Sequence, residues 1–337
     1  MKTSLVVTSI ASPNRILTSL ADGARSRNIP FVLIGDVRSP AEFALEGCTF
    51  YSLAEQKKLD FATATLVPER HYARKNLGYL LAIQGGAERI LETDDDNCPR
   101  EEFWADRART QTVPSSRGAG WTNAYAYFSE ARIWPRGLPL DAVQDAVRAF
   151  EQLPNEAVDC PIQQGLADEN PDVDAVYRLI LPLPQNFRQD RRVALGAGSW
   201  CPFNSQNTGW WREAFALLYL PAYCSFRMTD IWRSFVAQRI AWANDWSILF
   251  HEPTVWQERN DHSLQRDFAD EVPGYLHNRR IGGVLDGLQI ESGVERIPDN
   301  LRRSYQALVE LGVIGGAELP LLEAWLQDLH ALGVTNS

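Results

Sequence analysis

The sequence predicts an α/β fold, and three observations carry that expectation. Two strand–helix–strand segments open the chain, glycine-bearing turns (Gly35-Asp36, Gly85-Gly86) close their elements, and the apolar (45%) and charged (23%) fractions are those of a globular protein. Strand, helix and strand at this spacing form a right-handed βαβ unit, which implies a central sheet that is mixed but mainly parallel, with helices on its faces.

Ser4 to Ser9 reads as a short buried strand around Leu5-Val6-Val7. Pro13-Asn14 opens a helical pattern that sets Ile16, Leu17, Leu20 and Ala24 on one face. Phe31 to Ile34 is the next strand. In the second unit, Pro68 to Gln84 is expected to be helical, with Leu77, Leu80 and Leu81 on one side. Gly85-Gly86 stops it, and Arg89 to Thr93 forms a strand running into Asp94-Asp95-Asp96. From about residue 99 the pattern is mixed and rich in aromatics (Trp104, Trp121, Tyr125, Tyr127, Trp134, Trp200, Trp210, Trp211), with no repeat or linker. A single domain over residues 1–297 is expected. Helical patterns from Pro298-Asp299-Asn300 through Leu332 predict a C-terminal helical appendage over 298–337.

Composition excludes several classes. With 33 basic and 43 acidic residues the net charge is −10, which repels nucleic acid and anionic lipid. Five cysteines, odd in number and without a CxxC pair, suit reduced thiols. These thiols make a reducing cytoplasm the expected location, and no apolar run approaches the roughly 18 residues of a membrane helix. GxGxxG, P-loop, GxSxG and HExxH patterns are all missing, which removes the usual dinucleotide, NTPase, hydrolase-elbow and zincin readings.

The sharpest chemical feature is Asp94-Asp95-Asp96 at a strand end. In extended backbone Asp94 and Asp96 point the same way and offer two carboxylates to a hard cation, Mn2+ or Mg2+. Asp95 points to the other side, towards a ribose hydroxyl or an orienting base. Such a cation keeps open positions for a diphosphate and neutralises it as a leaving group. The helix of a βαβ unit runs antiparallel to its strands, so Arg70, Arg74 and Lys75 at the helix start share the edge of the Asp triplet and suit a pyrophosphate. Thr229-Asp230 precedes another helical pattern: one of the pair is a good N-cap, or Asp230 is a general base for an acceptor hydroxyl. His262 is the candidate nitrogen ligand for the metal, with His251 next.

Several motifs resemble the STELLO glycosyltransferase family. They are the stretch from Arg74 to Ile83 running on to Glu92-Thr93-Asp94-Asp95-Asp96-Asn97, Ile133-Trp134-Pro135-Arg136-Gly137-Leu138-Pro139-Leu140, Asn170-Pro171-Asp172-Val173-Asp174-Ala175, Cys201 to Thr208, and Phe226 to Arg233. A weaker similarity joins the reversibly glycosylated polypeptides, which include UDP-arabinopyranose mutases. Both resemblances imply a GT-A-like domain, a nucleotide-sugar donor, most simply UDP-linked, and a divalent metal at the Asp triplet. They also imply that Thr8 and Asp36 face the nucleotide beside Arg74, Lys75, Asp94 and Asp95, and that Asp230 sits near the acceptor, an unspecified glycan or small molecule. An inverting transfer is the expected reaction. The second family's self-glycosylated arginine is replaced here by the run Asp141-Ala142-Val143-Gln144, so mutase chemistry is an alternative only. Its Trp-His pair is Trp256-Gln257 here, which leaves His262 as the nearby substitute. A further alternative is a catalytically silent scaffold that binds a partner through a Trp-rich surface.

Overall fold

A computed structural model describes residues 1–258 and 263–335. Its strands β1 (Thr3–Thr8), β2 (Phe31–Ile34), β3 (Thr49–Tyr51) and β4 (Arg89–Thr93) run parallel in the order β3-β2-β1-β4. Helix α1 (Arg15–Ser26) starts at Asn14, whose side chain accepts from the Leu17 amide, and buries Ile16, Leu17, Leu20, Ala21 and Ala24. The short helices α2 (Leu53–Gln56) and α3 (Ala62–Leu66) follow β3.

Helix α4 (Lys75–Gln84) begins later than the sequence predicts. Residues 68–71 are not helical, and a 3-10 turn, Tyr72–Arg74, leads into the helix. The cause is Asp36, whose carboxylate accepts from the amides of Arg70 and His71 (both 2.9 Å) and draws Arg70 to φ 58. A Cβ on Gly78 would lie 2.6 Å from Val6 Cγ1, so only glycine lets α4 sit this close to β1.

The remaining sheet overturns the expected open, mainly parallel GT-A-like arrangement. The strands are β5 (Asn97–Pro99), β6 (Thr110–Ser116), β8 (Asn155–Asp168), β9 (Arg192–Leu195), β11 (Asn207–Trp211) and β12 (Trp246–Gln257); β7 (Gly120–Trp121) and β10 (Ser199–Trp200) form a separate two-stranded ribbon. Antiparallel β11 joins β4 to β8. Then β8 pairs with β6, β6 with β9, β9 with β12, and β12 returns to β8, closing a four-stranded barrel. Val113, Val158, Cys160, Ala194 and Leu249, at least one from each barrel strand, form a separate apolar cluster. Two register shifts in β12 bend it enough to close the ring. Across the ten-stranded sheet, parallel and antiparallel pairings are equal in number.

Helix α6 (Thr229–Ala243) packs on β12, α7 (Leu264–Gly287) packs on α6 and on α5 (Ala175–Ile180), and α8 (Ile297–Glu310) and α9 (Glu318–Ala331) form the helical C-terminal appendage. Leu301, Tyr305, Leu322 and Trp325 join the same core as Leu77 and Trp232. Asp328 of α9 accepts from the amides of Ala62 and Thr63 (both 2.8 Å) and caps α3, whose own N-cap Phe61 makes no side-chain cap bond. Asp328→Ala is therefore expected to cost about 1–2 kcal/mol, read as a lower denaturation midpoint with an unchanged m-value. A variant as stable as the parent would show that this cap contributes nothing.

The tryptophans do not form a surface. Trp134, Trp200, Trp210, Trp211, Trp232, Trp246 and Trp325 are buried and Trp104, Trp121, Trp242 and Trp256 are half-buried, so none is the exposed ring that the silent-scaffold alternative needs.

Candidate functional site

Strand order reverses between β1 and β4: the chain builds outward from β1 through β2 to β3, then returns to the other side of β1. Open α/β layers bind ligands at the carboxyl ends of strands at such a switch point. Ser9, just past β1, donates to Asp95 Oδ2, and Asn14 Nδ2 donates to the Asp95 carbonyl (3.2 Å). Ser9 and the Asp triplet therefore meet there.

The three aspartates have different partners. Asp94 Oδ1 accepts from the Tyr72 hydroxyl (2.8 Å) and from Lys75 Nζ (3.3 Å). Asp96 accepts from Asn97 Nδ2 (3.1 Å) and Gln257 Nε2 (3.0 Å). Burial raises the pKa of all three. Lys75 and Tyr72 oppose the rise at Asp94, and Ser9 opposes it at Asp95, whereas Asp94 and Asp95 add to it at Asp96, which reaches about 8. Among the described residues no group of three or more His, Cys, Asp or Glu side chains is gathered to hold a metal. The triplet is not extended, since β4 ends at Thr93 and Asp95 and Asp96 form a turn closed by the Asn97 amide on the Asp94 carbonyl (3.3 Å), but carboxylate oxygens remain donors that suit a hard cation when substrate oxygens supply further ligands.

Across the cleft from Asp94 stands a second charged cluster. Arg136 makes a bidentate pair with Asp172 (2.7 and 2.9 Å) and a longer one with Asp230 (both 3.1 Å). Asp230 Oδ2 also accepts from the Ser205 amide and hydroxyl (both 3.2 Å), leaving Oδ1 with the Arg136 bond alone. Burial would raise the Asp230 pKa, but Arg136, with Arg233 and the Ser205 amide, outweighs it and holds the carboxyl down at about 2. Asp230 lies in the first turn of α6, and neither it nor Thr229 is the N-cap; that position is Met228, with no side-chain cap bond. Asp94, Arg136, Asp172, Gln206, Arg227 and Asp230 line one cleft.

Beneath it lies a fully buried network. Glu92 pairs with Arg233 (2.8 Å) and accepts from Trp210 Nε1 (2.7 Å) and the Tyr79 hydroxyl. Lys75 Nζ, also fully buried, lies 3.9 Å from Glu92 and donates to Tyr72 (2.7 Å) and the Thr93 carbonyl (2.9 Å), so it links this network to Asp94.

The other sequence candidates occupy different positions. Arg74 is buried and turned towards Gln56 Oε1 (2.7 Å) and the Val67 carbonyl (3.1 Å). Asp36 spends its carboxylate on the amides of Val37, Arg70 and His71. Thr8 ends β1 opposite Ile34, while its neighbour Ser9 makes the bond to the triplet. His251 is buried in β12 with Nδ1 on the Glu252 carbonyl (2.9 Å). Burial, reinforced by Arg107, pushes its pKa down to about 3. His262 lies outside the described residues. Sequence reasoning missed Ser9, Tyr72, Arg136, Asp172, Ser205 and Arg227 as site residues. A signal existed for four of them, because Arg136, Asp172, Ser205 and Arg227 all lie within the motifs that carry the resemblance.

Fold and site together define an α/β protein with an acidic strand-end cluster facing an arginine–aspartate pair across a polar cleft. Residues 227–337 match the family described as "STELLO glycosyltransferases". Two proteins of Arabidopsis thaliana align with the chain. "Probable glycosyltransferase STELLO2" is 30% identical over 89% of this chain and 41% of its own length, and "Probable glycosyltransferase STELLO1" is 30% identical over 98% and 44%. The chain is thus similar to the STELLO proteins over most of its own length, and its C-terminal third matches the family model. The chain spans about two fifths of the length of these relatives. No helix among the described residues is long and apolar enough to cross a membrane.

Proposed function

We propose that the chain transfers a glycosyl group from a nucleotide-diphosphate sugar, UDP-linked, to a hydroxyl of a glycan or small-molecule acceptor, with inversion. The observation that carries this reading is the Asp triplet at the β1/β4 switch point, whose Asp94 lines one cleft with Arg136 and Asp230. The similarity to the STELLO proteins supports the transferase class.

Asp94 and Asp96 are the residues for a Mn2+ or Mg2+ ion, which would neutralise the departing diphosphate. Lys75 and Tyr72 fix the rotamer of Asp94 from the protein side. Arg136 keeps Asp230 ionised, and Oδ1, the less occupied oxygen, takes the acceptor proton as its hydroxyl attacks. Because so acidic a carboxyl is a weak base, this role rests on placement. Arg227, fixed by Glu271 (2.7 and 3.0 Å), adds a cation to the same wall.

The test is donor hydrolysis across a panel of UDP-sugars with manganese. The protein is expected to cleave one of them, and Asp94→Asn and Asp96→Asn are expected to abolish cleavage while keeping the fold. Unchanged cleavage by both variants would reject the metal assignment.

A further inference from the structure

We propose that Phe226, braced by His71 and Tyr72, is the platform on which the acceptor's pyranose ring stacks, an inference that rests on the transferase reading above. Phe226 is 53% exposed, more than any other Phe, Tyr or Trp among the described residues. It directly precedes Arg227, which lines the cleft, and lies four residues before Asp230, in the 3-10 turn Phe226–Met228 that leads into α6.

Two edge-on contacts hold the ring. The His71 centroid lies 5.8 Å away at 73° between planes, and that of Tyr72 lies 6.4 Å away at 72°. His71 is itself fixed, since its amide is bound by Asp36 (2.9 Å) and its Nδ1 accepts from Ala73 (3.0 Å). Tyr72 is fixed by its bond to Asp94. An aromatic ring held in place, half in solvent, next to a cleft of carboxylates and guanidinium groups offers what that cleft lacks, a flat apolar surface. A pyranose has the matching form: its hydroxyls lie around the rim, and its axial C–H groups present a weakly positive face to the negative face of an arene. The ring belongs to the turn that leads into α6 and Asp230, while its brace Tyr72 holds Asp94, so it stands where the two walls of the cleft meet. Its place four residues before Asp230, the residue assigned to the acceptor hydroxyl, assigns it to the acceptor, and the UDP affinity of the variants separates this role from one at the nucleobase.

Saturation-transfer NMR with methyl β-D-glucopyranoside and methyl β-D-galactopyranoside, in the presence of UDP and manganese, tests this without turnover. The parent protein is expected to transfer saturation to the ring C–H protons of at least one glycoside. Phe226→Ala is expected to weaken that binding about threefold to tenfold, Phe226→Trp to preserve it, and both to leave UDP affinity unchanged. Glycoside binding undiminished in Phe226→Ala, or no glycoside signal from the parent, would overturn the proposal. A parallel fall in UDP affinity would also overturn it, by assigning the ring to the base. Failure of the parent to bind UDP at all would instead count against the transferase reading, and the glycoside signal read without nucleotide would still decide the role of Phe226.

Discussion

Glu92→Ala is expected to lower the unfolding free energy by about 3–5 kcal/mol, the largest stability effect of any single change at this site. Glu92 is fully buried, and its removal strands Arg233, leaves Trp210 Nε1 and the Tyr79 hydroxyl without an acceptor, and takes a negative charge from beside Lys75. Breaking one partner of a buried pair costs far more than replacing both with apolar groups, because the cost lies in the charge left behind. The double variant Glu92→Met/Arg233→Met should therefore lose less stability than the two single changes summed. Chemical denaturation of all variants checks this. A loss under 1 kcal/mol for Glu92→Ala would mean that the network is solvated.

Asp230→Asn is expected to reduce transfer by about 10²–10⁴-fold with donor affinity unchanged, because the amide cannot accept the acceptor's proton. Stability supplies a separate readout. The folded pKa of Asp230, about 2, lies below its ordinary value, so the unfolded chain takes up the proton first. The stabilisation this carboxylate gives is present above about pH 4 and is lost as pH falls towards 2. The parent should lose stability over that window, and Asp230→Asn should lose less. A variant that keeps full transfer but shows the flattened acid limb would make Asp230 only the counter-ion of Arg136. A product whose anomeric configuration matches the donor would reject the inverting role.

Local features were legible in the sequence where a short-range pattern sets them. The α1 stripe, the Asn14 cap and the Arg89–Thr93 strand ending in three aspartates all follow from periodicity and capping within a few residues. The barrel was not legible, because the β8–β12 pairing joins segments about ninety residues apart and leaves no periodic signature in either. The start of α4 was misread because the cause is remote: Asp36 captures the amides of residues 70 and 71 and forces the turn. The same long-range logic turns Arg74 inward to Gln56 and leaves Lys75 to serve the cleft from below. Asp230 shows the converse, since its residue type and position suggested a cap or a base, but only the fold brings Arg136 from ninety-four residues away to set its charge.

The most direct test of the central claim is isothermal titration of the purified protein with a hydrolysis-resistant UDP-sugar, first in manganese and then in EDTA. The account predicts saturable binding in manganese that vanishes in EDTA and in Asp94→Asn. Equal affinity in manganese and EDTA, or no binding of any nucleotide sugar in either, would contradict it.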